Sequence, residues 1–296
     1  MIIAGKEVIS PNDIFDQTAL KRALSRLGDY VYGYYRPKET EPFYVGKGKG
    51  GRVLSHWLNS CRNNLKYRQH AEILNILKSN IVPDIKILAY DLQRTKKESV
   101  YSVVERILQN TFGIERNINR NVFKSRVKQS PTLVQDRNDG KKYPILSLEA
   151  AYCKGHFQEA EIINPRMVAI DMDVPVLLVS LSKSYHSGYT QADLSEMARM
   201  YWALGKFKNT TLPKLCKSES AILVGWASEF GGPQIVGIWR IKPRSLRLGI
   251  ERPNRYMCEV ETDIRVRKAF FGKRISGDGK SYRQPHIYLP DSLSGP

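Results

Sequence analysis

The sequence predicts an α+β protein built as two domains, and three observations carry that prediction. A chain of 296 residues has room for two domains of ordinary size, each with its own core. Residues 12–112 alternate helical and strand-like patterns in the order helix, hairpin, helices, strand, helix. Beyond residue 171 the pattern turns mostly to strands. We therefore place a first domain at 1–130, a connecting segment at 131–170 and a β-rich domain at 171–296.

The elements follow from local patterns. Asn12 to Leu27 has apolar residues at Ile14, Leu20, Leu24 and Leu27, with Asp13 to cap its start and Gly28 to end it. Tyr30-Val31-Tyr32-Gly33-Tyr34-Tyr35 is rich in β-formers. A polar turn at Pro37–Pro42 separates it from a second strand, Phe43-Tyr44-Val45, so the two predict a hairpin with a loop longer than two residues. Gly46 to Gly51 supplies four glycines among two lysines and reads as a loop, with a helix starting near Arg52. Ala71–Leu77 predicts a helix, with His70 read as a surface residue at its start. Ile85–Ala89 predicts a third strand, and Ser99–Phe112 a helix with its stripe at Val100, Val103, Val104, Ile107 and Leu108. The first domain is thus a three-stranded antiparallel sheet flanked by helices. The polar stretch Gln129–Pro144 belongs to the connector. In the second domain, strands are expected at Val174–Ser180, Ala221–Ala227 and Gln234–Ile241, with a helix at Gln191–Trp202. That pattern predicts a β-rich barrel or bent sheet.

Lys and Arg number 47 against 29 acidic residues, a formal charge of +18. The excess is spread along the chain: residues 1–150 hold 26 basic and 15 acidic residues, and the remainder 21 and 14. A chain this basic in both halves points to a polyanion, with nucleic acid the leading class of partner. The four cysteines, Cys61, Cys153, Cys216 and Cys258, form no CxxC pair, which argues against a zinc ribbon or a dithiol motif. The N-terminus lacks the charged start and apolar run of a signal peptide, and no apolar stretch has the length of a membrane span. The expectation is a cytoplasmic protein with reduced thiols and no membrane partner.

The chemistry gathers around the glycine-rich stretch. Tyr32 and Tyr44 lie on the two arms of the hairpin, Arg52 and His56 are four apart on the helix that follows and so share a face, and Glu105 edges the apolar stripe of a later helix. Asn119 follows that helix. Two phenols, a lysine loop, an arginine, a histidine and one acid suit phosphodiester hydrolysis. A single carboxylate is a normal way to hold Mg²⁺ (or Mn²⁺), which keeps most of its waters. The metal stabilises the leaving oxygen and Arg52 the charge on the phosphate. Tyr32 serves as base only if its pKa falls well below about 10, a shift that nearby cations such as Lys47 and Arg52 can supply. Glu98, the competing acid, reads as a cap at a helix start.

Val31-Tyr32 and Tyr44-Val45-Gly46, with eleven residues between the tyrosines, resemble the paired motifs of the GIY-YIG nucleases. Tyr30 stands where the first motif has glycine. The run Glu41–Gly50 is most similar to the subgroup found in ankyrin-and-LEM-domain nucleases and many bacterial proteins. Arg52 and His56 match that family's arginine and histidine, Glu105 its metal-binding glutamate, and Asn119 the asparagine fourteen positions later. The resemblance covers residues 28–122. It implies Mg²⁺-dependent hydrolysis at a single metal, with Tyr32 as general base, Tyr44 supporting base and phosphate, and Lys47 polarising the site.

In the second domain, the strand pair through Trp226 and Trp239 and the later Arg267–Lys273 run resemble PUA/EVE-like barrels, which hold a nucleic-acid base in an aromatic pocket. A flipped base needs aromatic faces and a few hydrogen bonds to its edge. The candidate nucleic-acid contacts are Lys49, Trp202, Trp226, Trp239, Arg240 and Tyr256.

Together these readings predict a Mg²⁺-dependent DNA endonuclease. A restriction-type or modification-dependent defence enzyme, whose C-terminal domain selects the target on double-stranded DNA with or without modified bases, fits the pairing best. A structure-specific nuclease of repair or recombination and a non-catalytic nucleic-acid-binding protein are the alternatives. Cutting both strands from one site per chain requires a homodimer or two sequential nicks, and the sequence leaves both open.

Overall fold

The computed structural model describes residues 2–3, 6–92, 100–111, 145–200, 202–249, 255–276 and 284–293. The chain forms two compact units, one of residues 1–12 and 17–151 and the other of 13–16 and 152–296. The expected helix over 12–27 is broken into Pro11–Ile14 and Gln17–Ser25. The break coincides with Phe15, which joins an aromatic cluster with Tyr152 and Phe271 in the second unit, at ring distances of 5.4 and 6.0 Å.

The first unit is built on a four-stranded antiparallel sheet in the order Pro42–Lys49, Asp29–Tyr35, Asp84–Ala89, Leu146–Ser147. Three strands were expected. The fourth is the two-residue stretch at 146–147, paired with Lys86 and Ile87 and too short to show a period. The glycine-rich stretch is also not a loop: Gly46 to Lys49 continues the second hairpin strand, with Gly46 opposite Tyr32 and Gly48 opposite Tyr30. Period-two alternation then sorts the side chains. Val31, Tyr35 and Val45 face one side, where they pack with Leu88 and with Val104 and Leu108 of the helix Val100–Thr111. Tyr30, Tyr32, Tyr34 and Tyr44 face the other, their neighbouring rings 5.9–6.3 Å apart.

Residues 145–170, placed by sequence in a connector, are structured. Besides the strand at 146–147 they form a helix at Leu148–His156, a strand at Ile162–Ile163 and most of a helix at Pro165–Met172. Ala150, Ala151, Tyr152 and Cys153 are buried there, an apolar content that a solvated connector does not need.

The second unit holds a seven-stranded mixed sheet that curls into a half-barrel. Val176–Ser180 runs parallel to Ala221–Ala227, which is antiparallel to Gln234–Ile241. His286–Tyr288 pairs on the far side of Val176–Ser180, and Ile162–Ile163 ends the other side beyond Arg274–Ile275. Among the described residues those two end strands do not pair with each other, so of the two expected forms, barrel or bent sheet, the sheet takes the open, bent one. The Gln191–Trp202 helix stops at Ala198. Trp202 instead exchanges both backbone hydrogen bonds with Tyr256, each 2.8 Å. Gly225 and Gly237 lie opposite each other, and a Cβ on Gly237 would stand 2.1 Å from the Trp239 ring. The bare backbone there is what admits an indole to the core.

Among the described residues no helix is long and apolar enough to cross a membrane. No disulfide joins any of the four cysteines.

Candidate functional site

The edge strand Pro42–Lys49 organises the site. Its Tyr44 lies on the tyrosine face, beside Tyr32 across the sheet. Gly46 is the reason the two phenols can share that space: a Cβ there would sit 2.7 Å from the Tyr44 hydroxyl and 3.0 Å from Tyr32 Cζ. Gly48 does the same for Arg52, whose Cβ would be 2.8 Å from any side chain at that position. The strand then passes into a 3₁₀ turn, Gly50–Leu54, and a helix, Ser55–Cys61, so Arg52 and His56 lie on consecutive elements rather than on one helix.

Two phenols clamp the turn that carries Arg52. The Tyr30 hydroxyl donates to the Gly50 carbonyl and accepts from the Val53 amide, and the Tyr34 hydroxyl donates to the Val53 carbonyl. Tyr30 thus holds the arginine-bearing turn against the sheet. Burial pushes the Tyr30 phenol up to about 12, against the lowering effects of the Val53 amide and of Arg52.

His56 is 5% exposed and His70 1%. His56 Nε2 lies 3.0 Å from the Tyr44 hydroxyl, His56 Nδ1 lies 2.9 Å from His70 Nε2, and His70 Nδ1 lies 2.7 Å from the Asn64 carbonyl. The Tyr32 ring stands beside that of Tyr44, 6.1 Å away. A chain of polar atoms therefore runs from Tyr44 through His56 and His70 to a backbone carbonyl. His70 is a core residue, not the surface residue the sequence suggested. The pattern contained the signal: positions 70, 73, 74 and 77 share one helix face, and Ile73, Leu74 and Leu77 are buried with it.

Burial governs the protonation of this cluster. It raises the Tyr32 phenol well above its ordinary value, with the neighbouring tyrosines adding to the rise and Arg52 opposing it. The condition set for Tyr32 as a base, a pKa well below about 10, is not met here, because desolvation of a phenolate outweighs one nearby guanidinium. Burial raises Tyr44 too, while the Tyr32 hydroxyl and the charge of Arg52 lower it. His56 is pushed down to about 4, first by burial and then by His70 and Arg52. Its imidazole is therefore neutral at neutral pH.

Lys47 projects to the opposite face of the edge strand, in register with Val31. Its ammonium lies 3.2 Å from the Glu105 carboxylate and donates to the Ser102 hydroxyl at 2.9 Å. Gln109, one turn further along the same helix, donates to the Val45 carbonyl at 3.0 Å and ties the helix to the strand. The site thus straddles the edge strand, with phenols and imidazoles on one face and Lys47 with Glu105 on the other. The Glu105 charge still acts on the Tyr44 phenol. Among the described residues no group of three or more His, Cys, Asp or Glu stands together. The Glu105 carboxylate is a single hard oxygen donor, of the kind a hydrated Mg²⁺ would accept. Asn119 lies outside the described residues.

The candidate nucleic-acid contacts divide. Lys49 is exposed at the end of the edge strand. Trp226 and Trp239 are core residues of the second unit, 3% and 2% exposed, and offer a base no open face. Arg240 is engaged by Asp263, which its Nε reaches at 2.8 Å, and by the Ser220 hydroxyl. Burial raises the Asp263 carboxyl, yet Arg240 and the Val266 and Arg265 amides bring it below its ordinary value overall. Trp202 and Tyr256 are half-buried against the core and lie side by side on their paired backbones. Comparison with family models, curated proteins and solved structures found no match to this chain.

Proposed function

We propose that the first unit is a metal-assisted phosphodiesterase site of the GIY-YIG type and that the protein is a DNA endonuclease. The observation that carries this reading is the single cluster of Tyr32, Tyr44, Arg52 and His56 against the edge strand whose other face carries Lys47, paired with Glu105 of the helix Val100–Thr111. Glu105 is the residue that would hold Mg²⁺ or Mn²⁺, which when bound supplies charge stabilisation at the leaving oxygen.

The chain's own residues supply the rest. Arg52 places a fixed positive charge where a scissile phosphate gains negative charge. Tyr44 is the phenol that meets solvent, since Tyr32 is fully buried. A neutral His56 accepts the Tyr44 proton as Tyr44 takes one from the attacking water, so no free phenolate is needed beforehand. Tyr32 packs behind Tyr44, ring to ring, and orients it. Lys47 holds Glu105 in place through their ion pair.

The second unit would select the target, with Trp202 and Tyr256 as its aromatic pair and the modified base as one class of ligand. A non-catalytic nucleic-acid-binding protein is the second reading, favoured by the complete burial of the Tyr32 phenol. The test is Mg²⁺-dependent digestion of unmodified plasmid, cytosine-methylated plasmid and phage DNA carrying hydroxymethylated cytosine. Discrete products, with one substrate preferred, are expected. Binding without cleavage of any of them would establish the second reading, and equal cutting of all would remove the selector role.

A further inference from the structure

We infer that His70 is a positioning residue that decides which nitrogen of His56 is free to take the Tyr44 proton. The hydrogen-bond directions follow from one backbone carbonyl. The Asn64 oxygen only accepts, so His70 Nδ1 carries a hydrogen. In that Nδ1–H tautomer His70 Nε2 holds a lone pair, and it faces His56 Nδ1 at 2.9 Å. Two lone pairs cannot meet at that distance, so His56 Nδ1 carries its hydrogen and His56 Nε2 is bare. Tyr44, 3.0 Å from that nitrogen, must donate to it. The other His56 tautomer would place a hydrogen on Nε2, make Tyr44 an acceptor and leave its proton no route to the imidazole.

The arrangement is built into the turn between two helices. Asn63 takes a left-handed backbone (φ 56°), and the Asn64 amide donates to the Asn59 carbonyl at 2.9 Å, which fixes the carbonyl that His70 reads. The Tyr67 ring stands edge-on to His70 at 5.4 Å. When the Tyr44 O–H bond breaks and the His56 Nε2–H bond forms, the new imidazolium donates through Nδ1 to His70 Nε2. That charge-assisted bond stabilises it.

The kinetic consequence rests on the proposed hydrolytic function, whereas the tautomer does not, so the experiment has two arms. The first records long-range ¹H–¹⁵N spectra of the full chain labelled in its five histidines, without DNA, with His56→Gln used to assign the signal. Wild type should show His56 as the Nδ1–H tautomer. His70→Leu should shift it toward Nε2–H, and His70→Gln, whose side-chain carbonyl still accepts, should keep it. The second arm measures Mg²⁺-dependent cleavage of supercoiled plasmid. In His70→Leu, kcat should fall by about 10- to 100-fold with KM unchanged, and His70→Gln should recover most of that loss. A wild-type His56 in the Nε2–H form, an unshifted tautomer in His70→Leu, or a His70→Gln protein as impaired as His70→Leu would overturn the inference. If the wild type cuts nothing, the nuclease reading fails while the spectra still decide the tautomer.

Discussion

Desolvation decides what each side chain around the edge strand can do. A phenol sealed in the sheet is a poor acid and an imidazole sealed beside it a weak base, so at rest the tyrosine keeps its proton and the histidine stays neutral. The same burial makes His56 a determinant of stability. Its pKa falls from 6.5 to about 4 on folding, so the unfolded chain binds more protons between those values. The contribution is fully present above about pH 6.5 and is lost as pH falls toward 4, a total of roughly 3 kcal/mol. Urea unfolding at pH 7 and pH 4.5 should show a smaller difference for His56→Gln than for wild type. An equal difference would place the acid sensitivity elsewhere. Gly46→Ala should be more damaging than its size suggests. The added methyl would stand 2.7 Å from the Tyr44 hydroxyl, and moving that phenol by about 1 Å should cost about 100-fold in cleavage rate. Plasmid nicking by the variant at wild-type rate would show that the phenols do not need their present spacing.

At the level of elements, the hairpin was legible in the sequence because aromatic and β-branched residues flank a polar turn, and Asp29–Tyr35 forms as that pattern requires. The glycine run was not. Glycine marks a loop when φ is positive and a close approach when the strand continues, and spacing alone cannot separate the two. At Gly46 and Gly48 the close approach wins, since tyrosine and arginine side chains fill the missing Cβ positions. Trp226 and Trp239 were illegible for another reason. Every residue of Ala221–Ala227 is buried, so that strand shows no alternation to distinguish an open face from the core. Two docking contacts can be tested at this scale. Gln109→Ala removes the bond from the Glu105 helix to Val45, which should cost about 1 kcal/mol in stability and lower cleavage by loosening Glu105. Asp263→Ala removes both the cap of the helix Ile264–Phe270 and the partner of Arg240. Its midpoint in urea should fall by the equivalent of about 2–3 kcal/mol, the cap alone being worth about 1. Unchanged midpoints would show that these bonds do not anchor their elements.

For the whole molecule, the net charge of +18 was plain from composition, and it constrains binding more than chemistry. Binding to duplex DNA should weaken steeply with salt. If six to ten phosphates are contacted, the loss is about 10³- to 10⁵-fold between 50 and 200 mM. A flat salt dependence, read by fluorescence anisotropy, would argue against a phosphate-based interface. The proposed hydrolysis would depend on far fewer groups, and Glu105 is the one whose removal should separate cutting from binding. The most direct measurement is therefore a time course of Mg²⁺-dependent nicking of supercoiled plasmid by wild type and Glu105→Ala, with binding measured on the same preparations. Nicking by wild type, its loss in the variant and equal binding by both are the predicted result. Nicking that survives in Glu105→Ala, or its absence from wild type with binding intact, would contradict a hydrolytic centre at this strand.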